Sequence, residues 1–227
     1  MSTKSLEAAI HDSLAKGLKA KAIIAVDLFG RAADYDQISP IAERYGLTLI
    51  ADAAQSFGGQ YCGSRIGSLA DYSTTSFFPA KPLGCYGDGG AVFTNNAEKA
   101  KLLHSLRLHG QGDSEFDSAC VGMNSRMDSI QAAILMEKLK IFEGELESRK
   151  KIAERYNELL HDVCIVPMIS NDIISTWAQY TIRVRNRDGV VLQLEKAGIP
   201  IAIYYPRPIH TQKPYNKFFC APDGLGV

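Results

Sequence analysis

Apolar runs of strand length alternate with amphipathic stretches up to Gly110. The runs that predict buried strands lie at 22–27, 47–52, 72–78 and 90–95. Helical spacing of apolar residues occurs at 5–18, 36–45 and 96–110, with Gly110 as the expected C-terminal cap. Because strands and helices alternate closely, the pattern predicts parallel βαβ units and an α/β fold with a mostly parallel sheet flanked by helices.

A longer amphipathic pattern runs from 125 to 160, and we predict one continuous helix there. Ser125 and Asp128 predict a capping box at its start. A helix of this length is typical of a crossing between domains. We therefore predict a large domain over 1–145 and a small domain over 146–227.

The last part of the chain mixes strand and helix patterns. Strand-like runs lie at 162–167, 178–184 and 199–205, and a helical stretch lies at 190–197. This mixture predicts that the smaller C-terminal domain is α+β.

Charge and composition exclude several classes of function. The 227 residues carry 25 Lys plus Arg and 25 Asp plus Glu, so the basic excess of a nucleic-acid binder is absent. No apolar run reaches membrane-spanning length, and we expect a cytoplasmic protein. The five cysteines form no CxxC pair and the five histidines form no HExxH motif, so neither a disulfide framework nor a metal site is predicted.

Polar residues follow the predicted strands where parallel sheets bind ligands. Asp27, Asp52 and the segment after Phe78 lie at carboxyl ends of strands. A carboxylate that ends a buried strand needs a partner, because burying it unpaired is costly. For Asp52, two partners are open: the N–H groups of the following turn, or a protonated pyridine nitrogen.

Lys81 stands in an unusual setting, between Pro79 and Pro82 and directly after an aromatic strand. Pro82 disfavours helical angles at Lys81, so its backbone is expected to be extended and fixed. A solvated loop lysine needs no such setting, whereas a lysine that forms a Schiff base must be held in one place and partly desolvated. The glycines that follow predict a chain reversal, with 90–95 antiparallel to its neighbour; they are Gly84, Gly87, Gly89 and Gly90.

The segment ADAAQSFGGQYCGSRIGSLADYSTTSFFPAKPLGCYGDGGAVFT resembles the sugar aminotransferases of the DegT/DnrJ/EryC1/StrS family. These enzymes use pyridoxal 5′-phosphate (PLP) and have the aspartate-aminotransferase fold, fold type I. The resemblance continues through LRLHGQG, GMNSRMDSIQAAIL and YYPRPIHTQ, and so covers nearly the whole chain.

The resemblance implies a role for each matching residue. Lys81 would carry PLP, and Asp52 would contact the pyridine nitrogen. Gln55 would lie by the ring or its phenolic oxygen. Ser76 would bind the phosphate, although a strand serine bonded to the backbone is an equal alternative. Asn124 would reach the PLP phosphate of a second subunit in a homodimer, and it could also cap the long helix.

The resemblance also places substrate contacts outside the lysine loop. Arg126 would meet an anionic part of the substrate, or else be a solvated arginine in a first helical turn. Tyr204, Tyr205 and His210 match a segment near the sugar-nucleotide pocket, and His210 could equally be a loop residue packed beside Pro208.

The function that the resemblance implies is transfer of an amino group, with glutamate as donor, to a keto group of a nucleotide-linked sugar. The product would serve lipopolysaccharide, O-antigen or related sugar synthesis, and the motif details resemble enzymes acting on a UDP-linked 3-keto glucuronate. Relatives that act as dehydratases carry histidine where this chain has Lys81. Members of the family are longer, so the chain is expected to be truncated at both ends. The alternative is therefore an inactive fragment or remnant of such an enzyme.

Overall fold

The structure is a computed structural model that describes residues 1–114 and 116–218. The helices are α1 (Thr3–Ala15), α2 (Tyr35–Arg44), α3 (Ala97–Arg107), α4 (Ser129–Leu139), α5 (Phe142–Leu160) and α6 (Arg187–Lys196). The strands are β1 (Ala22–Val26), β2 (Thr48–Asp52), β3 (Gln60–Tyr61), β4 (Ser64–Arg65), β5 (Tyr72–Ser76), β6 (Gly90–Phe93) and β7 (Ile173–Ile174). Short 3-10 turns lie at Leu28–Gly30 and Ile209–Thr211.

The main sheet has the strand order β1-β2-β5-β6. The first three strands are parallel, and β6 runs antiparallel to β5 with Ser76 opposite Gly90. The four strands, the parallel βαβ arrangement and the antiparallel return predicted from the sequence are thus confirmed. The strands β3, β4 and β7 form a second, small antiparallel sheet.

The two faces of the main sheet differ in burial. Side chains at odd-numbered positions of the three parallel strands are buried: Ile23, Ala25, Leu49, Ala51, Ser73 and Thr75. Even-numbered positions point to the other face, where Ile24 is 57% and Val26 is 46% exposed. Asp52 and Ser76 also occupy even-numbered positions, so both point to the less buried face at the carboxyl edge of the sheet.

The predicted continuous helix from 125 to 160 is wrong. Two helices, α4 and α5, are separated after Leu139, and the break brings Phe142 into the core with 5% of its surface exposed. The capping box is also wrong, because α4 begins at Ser129 and its N-cap Asp128 makes no side-chain cap bond. The apolar spacing continues across the break, so periodicity alone could not reveal it.

The end of α3 also differs from the prediction. Its C-cap is Leu108, two residues before the expected Gly110. Gly110 lies beyond the helix with φ 76°, and its N–H donates to the Ser105 carbonyl at 2.9 Å. A positive φ of this kind favours glycine. Gly110 therefore lies at the turn that ends the helix, but the C-cap residue is Leu108.

In the last part of the chain, α6 confirms the predicted helix, but the strand predictions are wrong over the described residues. Of the three strand-like runs, only Ile165 and Arg183 pair, as an isolated antiparallel bridge. A strand needs a neighbour to bond its backbone groups, and a β-prone sequence without one stays irregular.

Contacts divide the chain into two compact units. One comprises Lys21–Glu158 and Pro167–Tyr180 and holds both sheets; the other comprises the remaining described residues. The domain boundary near residue 145 stays a prediction. None of the described helices combines the length and the apolarity needed to cross a membrane.

Candidate active site

Lys81 lies in a loop whose two ends meet in the core. The backbone N–H of Cys85 donates to the Phe77 carbonyl at 2.8 Å, and both residues are buried. They belong to one apolar cluster, which comprises Phe77, Leu83, Cys85, Leu135 and Phe142. Inside the loop, the Lys81 N–H donates to the Phe78 carbonyl at 2.9 Å and closes a turn with Pro79 at its second position, where proline is favoured.

Helix α4 holds the second half of this loop. The Gln131 side-chain oxygen accepts the N–H of Tyr86 at 2.9 Å, and Lys138 Nζ donates to the Gly84 carbonyl at 2.6 Å. Gly84 is packed so closely that a Cβ there would lie 2.6 Å from the Pro79 oxygen and 2.7 Å from the Phe78 oxygen. Backbone, core and helix together therefore fix the position of the lysine.

The Lys81 side chain is half-buried, and the described part of the chain gives its ammonium no hydrogen bond or ion pair. A half-buried lysine on a fixed backbone suits the chemistry of a lysine that forms a Schiff base.

Asp52 ends β2 as a half-buried carboxylate. Its Oδ1 accepts the N–H of Ala54 at 3.1 Å, so the first of the two partners expected from the sequence is present. Over 1–114 and 116–218 no cation pairs with it. A half-buried carboxylate with one local bond fits a cationic group such as a protonated pyridine nitrogen, and its chemistry, like that of the Lys81 amine, suits PLP.

Gln55 and Ser76 already have protein partners. The Gln55 side-chain oxygen accepts the N–H of Phe29 at 2.6 Å, and the Ser76 hydroxyl accepts the N–H of Phe78 at 3.2 Å. The backbone alternative for Ser76 therefore occurs in the structure. Contacts of either residue with a cofactor stay predictions.

Asn124 and Arg126 are exposed and touch each other, with Arg126 Nε donating to Asn124 Oδ1 at 3.3 Å. Asn124 does not cap α4, because that helix begins later and its N-cap is Asp128. The backbone of Asn124 instead pairs with Leu108 in an isolated bridge. For the same reason, Arg126 lies before the helix and not in its first turn.

Tyr204, Tyr205 and His210 belong to the other compact unit. The two tyrosines are 50% and 60% exposed and pack edge to face at 5.5 Å between ring centres. His210 lies in the 3-10 turn after Pro208. Their contact with a sugar nucleotide stays a prediction.

Sequence reasoning noted Asp27 only as a strand-end residue and missed the buried polar group around it. Asp27 is fully buried and accepts hydrogen bonds from Ser56 Oγ at 2.6 Å and from Ala33 N–H and Tyr35 O–H at 2.8 Å. Burial raises the pKa of Asp27 above its usual 3.8, and the three hydrogen bonds oppose that rise. A carboxylate directly after an apolar strand was the available signal, but its partners are distant in sequence.

A second buried hydrogen bond holds the turn that follows β2. The Thr176 hydroxyl donates to the Gln55 carbonyl at 2.5 Å, and Thr176 is fully buried.

No group of three or more His, Cys, Asp or Glu side chains in the described part of the chain is arranged to hold a metal ion.

Comparison with known proteins finds one family of aminotransferases. A model of the DegT/DnrJ/EryC1/StrS aminotransferase family matches residues 1–224. A UDP-2-acetamido-2-deoxy-3-oxo-D-glucuronate aminotransferase from Pseudomonas aeruginosa is 50% identical over 195 residues, covering 86% of this chain and 54% of the relative.

Solved structures similar to this chain are also aminotransferases. The crystal structure of a DegT DnrJ EryC1 StrS aminotransferase from Brucella abortus has a TM-score of 0.96 and 53% identity, covering 99% of this chain and 61% of that one. The PLP form of a sugar aminotransferase, Spr1654 from Streptococcus pneumoniae, has a TM-score of 0.79 at 25% identity, covering 90% of this chain and 60% of that one. The chain spans about half the length of the curated relatives it matches.

Proposed function

Because the chain belongs to the DegT/DnrJ/EryC1/StrS aminotransferase family, we propose that it transfers an amino group to a keto group of a nucleotide-linked sugar, with PLP held by Lys81. One observation carries this proposal: a half-buried lysine, without an ion pair to any described residue, lies at the centre of a loop that is fixed at both ends to the core.

The residues present suit PLP in distinct ways. The Lys81 amine would form the covalent link, and the Asp52 carboxylate would keep the pyridine nitrogen protonated. PLP, when bound, supplies a ring that accepts electrons from a carbon next to the transferred nitrogen. Ser76 would bind the phosphate, together with Asn124 from a second copy in a homodimer. Gln55 would face the ring.

The substrate proposal rests on the relative from Pseudomonas aeruginosa, whose name specifies a UDP-linked 3-oxo-glucuronate. A sugar carboxylate of this kind would suit Arg126, which is exposed and donates a hydrogen bond to the neutral side chain of Asn124. Tyr204, Tyr205 and His210 would contact the nucleotide sugar. Glutamate is the proposed donor, and cytoplasmic synthesis of lipopolysaccharide or O-antigen sugars is the proposed setting.

The decisive experiment is a covalent one. The purified protein is mixed with PLP, its visible absorption is recorded, the adduct is reduced with borohydride and the modified peptide is mapped. We expect the adduct on Lys81, no adduct in K81A, and a wild-type spectrum in K140A, because Lys140 is exposed and paired with Glu137. An unmodified Lys81 peptide in the wild type would overturn the proposal and favour the inactive alternative.

Substrate and donor are tested separately. Formation of 2-oxoglutarate from glutamate reports the first half of the reaction, and amination of UDP- and dTDP-linked keto sugars reports the second. We expect a UDP-linked 3-keto glucuronate to react fastest, and R126A to lose the preference for the carboxylated sugar over its uncharged analogue.

A further inference from the structure

We infer that Asp27 is a positioning residue that fixes the turn carrying Asp52 and Gln55, and its link to the cofactor rests on the function proposed above. The turn runs from Asp52 to Ser56 and leaves β2 at the carboxyl edge of the sheet. Asp27 directly follows the last residue of β1, the strand that pairs in parallel with β2.

Asp27 bonds to both ends of this turn. Its backbone N–H donates to the Asp52 carbonyl at 3.0 Å, and its side-chain Oδ2 accepts the Ser56 hydroxyl at 2.6 Å. The first bond extends the β1–β2 ladder by one residue. The second ties the far end of the turn back to the same residue, so the ends of the turn cannot separate without breaking a buried bond.

The other oxygen of Asp27 anchors the residue itself. Oδ1 accepts the N–H of Ala33 and the hydroxyl of Tyr35, both at 2.8 Å, and Tyr35 is the first residue of α2. The carboxyl group therefore joins three segments: the end of β1, the start of α2 and the turn after β2. Each of its bonds lies out of contact with water, where loss of one partner leaves the other unsatisfied.

The turn also contains two internal hydrogen bonds, and both depend on the ends of the turn staying in place. The N–H groups of Ser56 and Phe57 both donate to the Ala53 carbonyl, at 3.1 and 3.2 Å. Asp52 is the first residue of the turn and Gln55 lies within it, so the directions of both side chains follow the backbone of the turn. Asp27 is fully buried, so its effect on these two side chains runs through that backbone, beside a smaller charge repulsion between Asp27 and Asp52.

The test compares two serines that are both fully buried. Ser56 donates to Asp27, whereas the Ser73 hydroxyl has no hydrogen-bond partner among the residues that the structure describes. S56A and S73A remove the same hydroxyl group, but only S56A removes a bond to the turn. D27N keeps the side-chain shape and can donate its amide N–H to Ser56, so it serves as the conservative variant.

Two measurements are made on the full chain: amide hydrogen exchange of the peptide that covers 52–57 without PLP, and the dissociation constant for added PLP from its visible absorption. In S56A we expect exchange of this peptide to rise relative to the β2 peptide, and PLP to bind about tenfold more weakly, the effect of one lost bond to a charged group. S73A should match the wild type in both, and D27N should lie closer to the wild type than S56A does.

Equal exchange and equal PLP affinity in S56A and S73A would overturn the inference. Uniformly faster exchange of all peptides in S56A would also overturn it, because that is the signature of a general loss of stability. A wild type that takes up no PLP would contradict the proposed function alone, since the exchange measurement still decides whether Asp27 fixes the turn.

Discussion

The backbone N–H of Cys85 donates to the carbonyl of Phe77 at 2.8 Å, and Lys81 lies midway between these two residues. Both are buried in the same apolar cluster, so core packing offsets the conformational entropy that is lost when the loop closes, and this closure needs no ligand. A cofactor that binds Lys81 would therefore meet a loop that is already ordered, which favours affinity.

Gly84 should be essential to this loop. In G84A the added Cβ would lie 2.6 Å from the Pro79 oxygen, and backbone oxygens cannot move aside without opening the turn at Lys81. We expect a loss of about 1–3 kcal/mol in the free energy of unfolding in urea, together with weaker uptake of PLP.

The matched control is G144A. Gly144 lies in α5 with open space around its Cα, so alanine should raise stability by roughly 0.5–1 kcal/mol through its better helix propensity. If G84A were as stable as the wild type, the close contact at position 84 would have no energetic weight.

Phe142 links the start of α5 to the core beneath the lysine loop. Its ring stacks on Phe57 at 6.2 Å between centres and is 5% exposed. F142A should lower the free energy of unfolding by about 3–5 kcal/mol, since the cavity adds to the lost transfer energy. F116A removes the same ring from a side chain that is 98% exposed and should change stability by less than about 0.5 kcal/mol. Similar losses in the two variants would contradict the packing.

Asp27 should make stability depend on pH in a defined direction. Burial raises its pKa in the folded state, so above pH 3.8 the unfolded state releases this proton before the folded state does. The unfolding free energy of the wild type should therefore fall relative to that of D27N as the pH rises from 3.8 to the raised pKa, and the difference should then level off. Urea titrations of both proteins between about pH 4 and about pH 8 measure this, and a constant difference would contradict it.

Asp71 should behave in the opposite way. Its carboxylate accepts Lys99 Nζ at 2.6 Å and the N–H of Leu49 at 3.0 Å, and these bonds lower its pKa below 3.8. The stability that it contributes is present above pH 3.8 and is lost as the pH falls through the lowered pKa. D71N should thus be less stable than the wild type at neutral pH and approach it in acid, whereas E137Q, at an exposed ion pair, should match the wild type throughout.

The part of the fold predicted correctly from sequence is the part governed by local pattern. The parallel strands and their antiparallel return follow from apolar alternation and from glycines, which act over a few residues. The break after Leu139 could not be predicted, because Phe142 continues the apolar stripe whether the helix bends or not. The runs at 162–167, 178–184 and 199–205 carry strand composition, but strand formation depends on neighbours that composition does not specify.

The candidate site shows the same division. Lys81 and Asp52 are candidates from the sequence because each stands in a distinctive local setting, and their roles stay predictions. The bonds that hold the turn after Asp52, from Ser56 to Asp27 and from Thr176 to the Gln55 carbonyl, join residues far apart in the chain. Such pairs become visible only when the fold brings them together. Candidate reactive residues can therefore be recognised from the sequence more easily than the residues that hold them in position.

The alternation of side chains in β1, β2 and β5 has an evolutionary consequence. Odd-numbered positions build the buried layer, while Asp52 and Ser76 share the opposite face with Ile24 and Val26. Substitutions on the second face can accumulate without disturbing packing on the first. A lineage could therefore explore new ligands at alternate positions of these strands while inheriting an unchanged core.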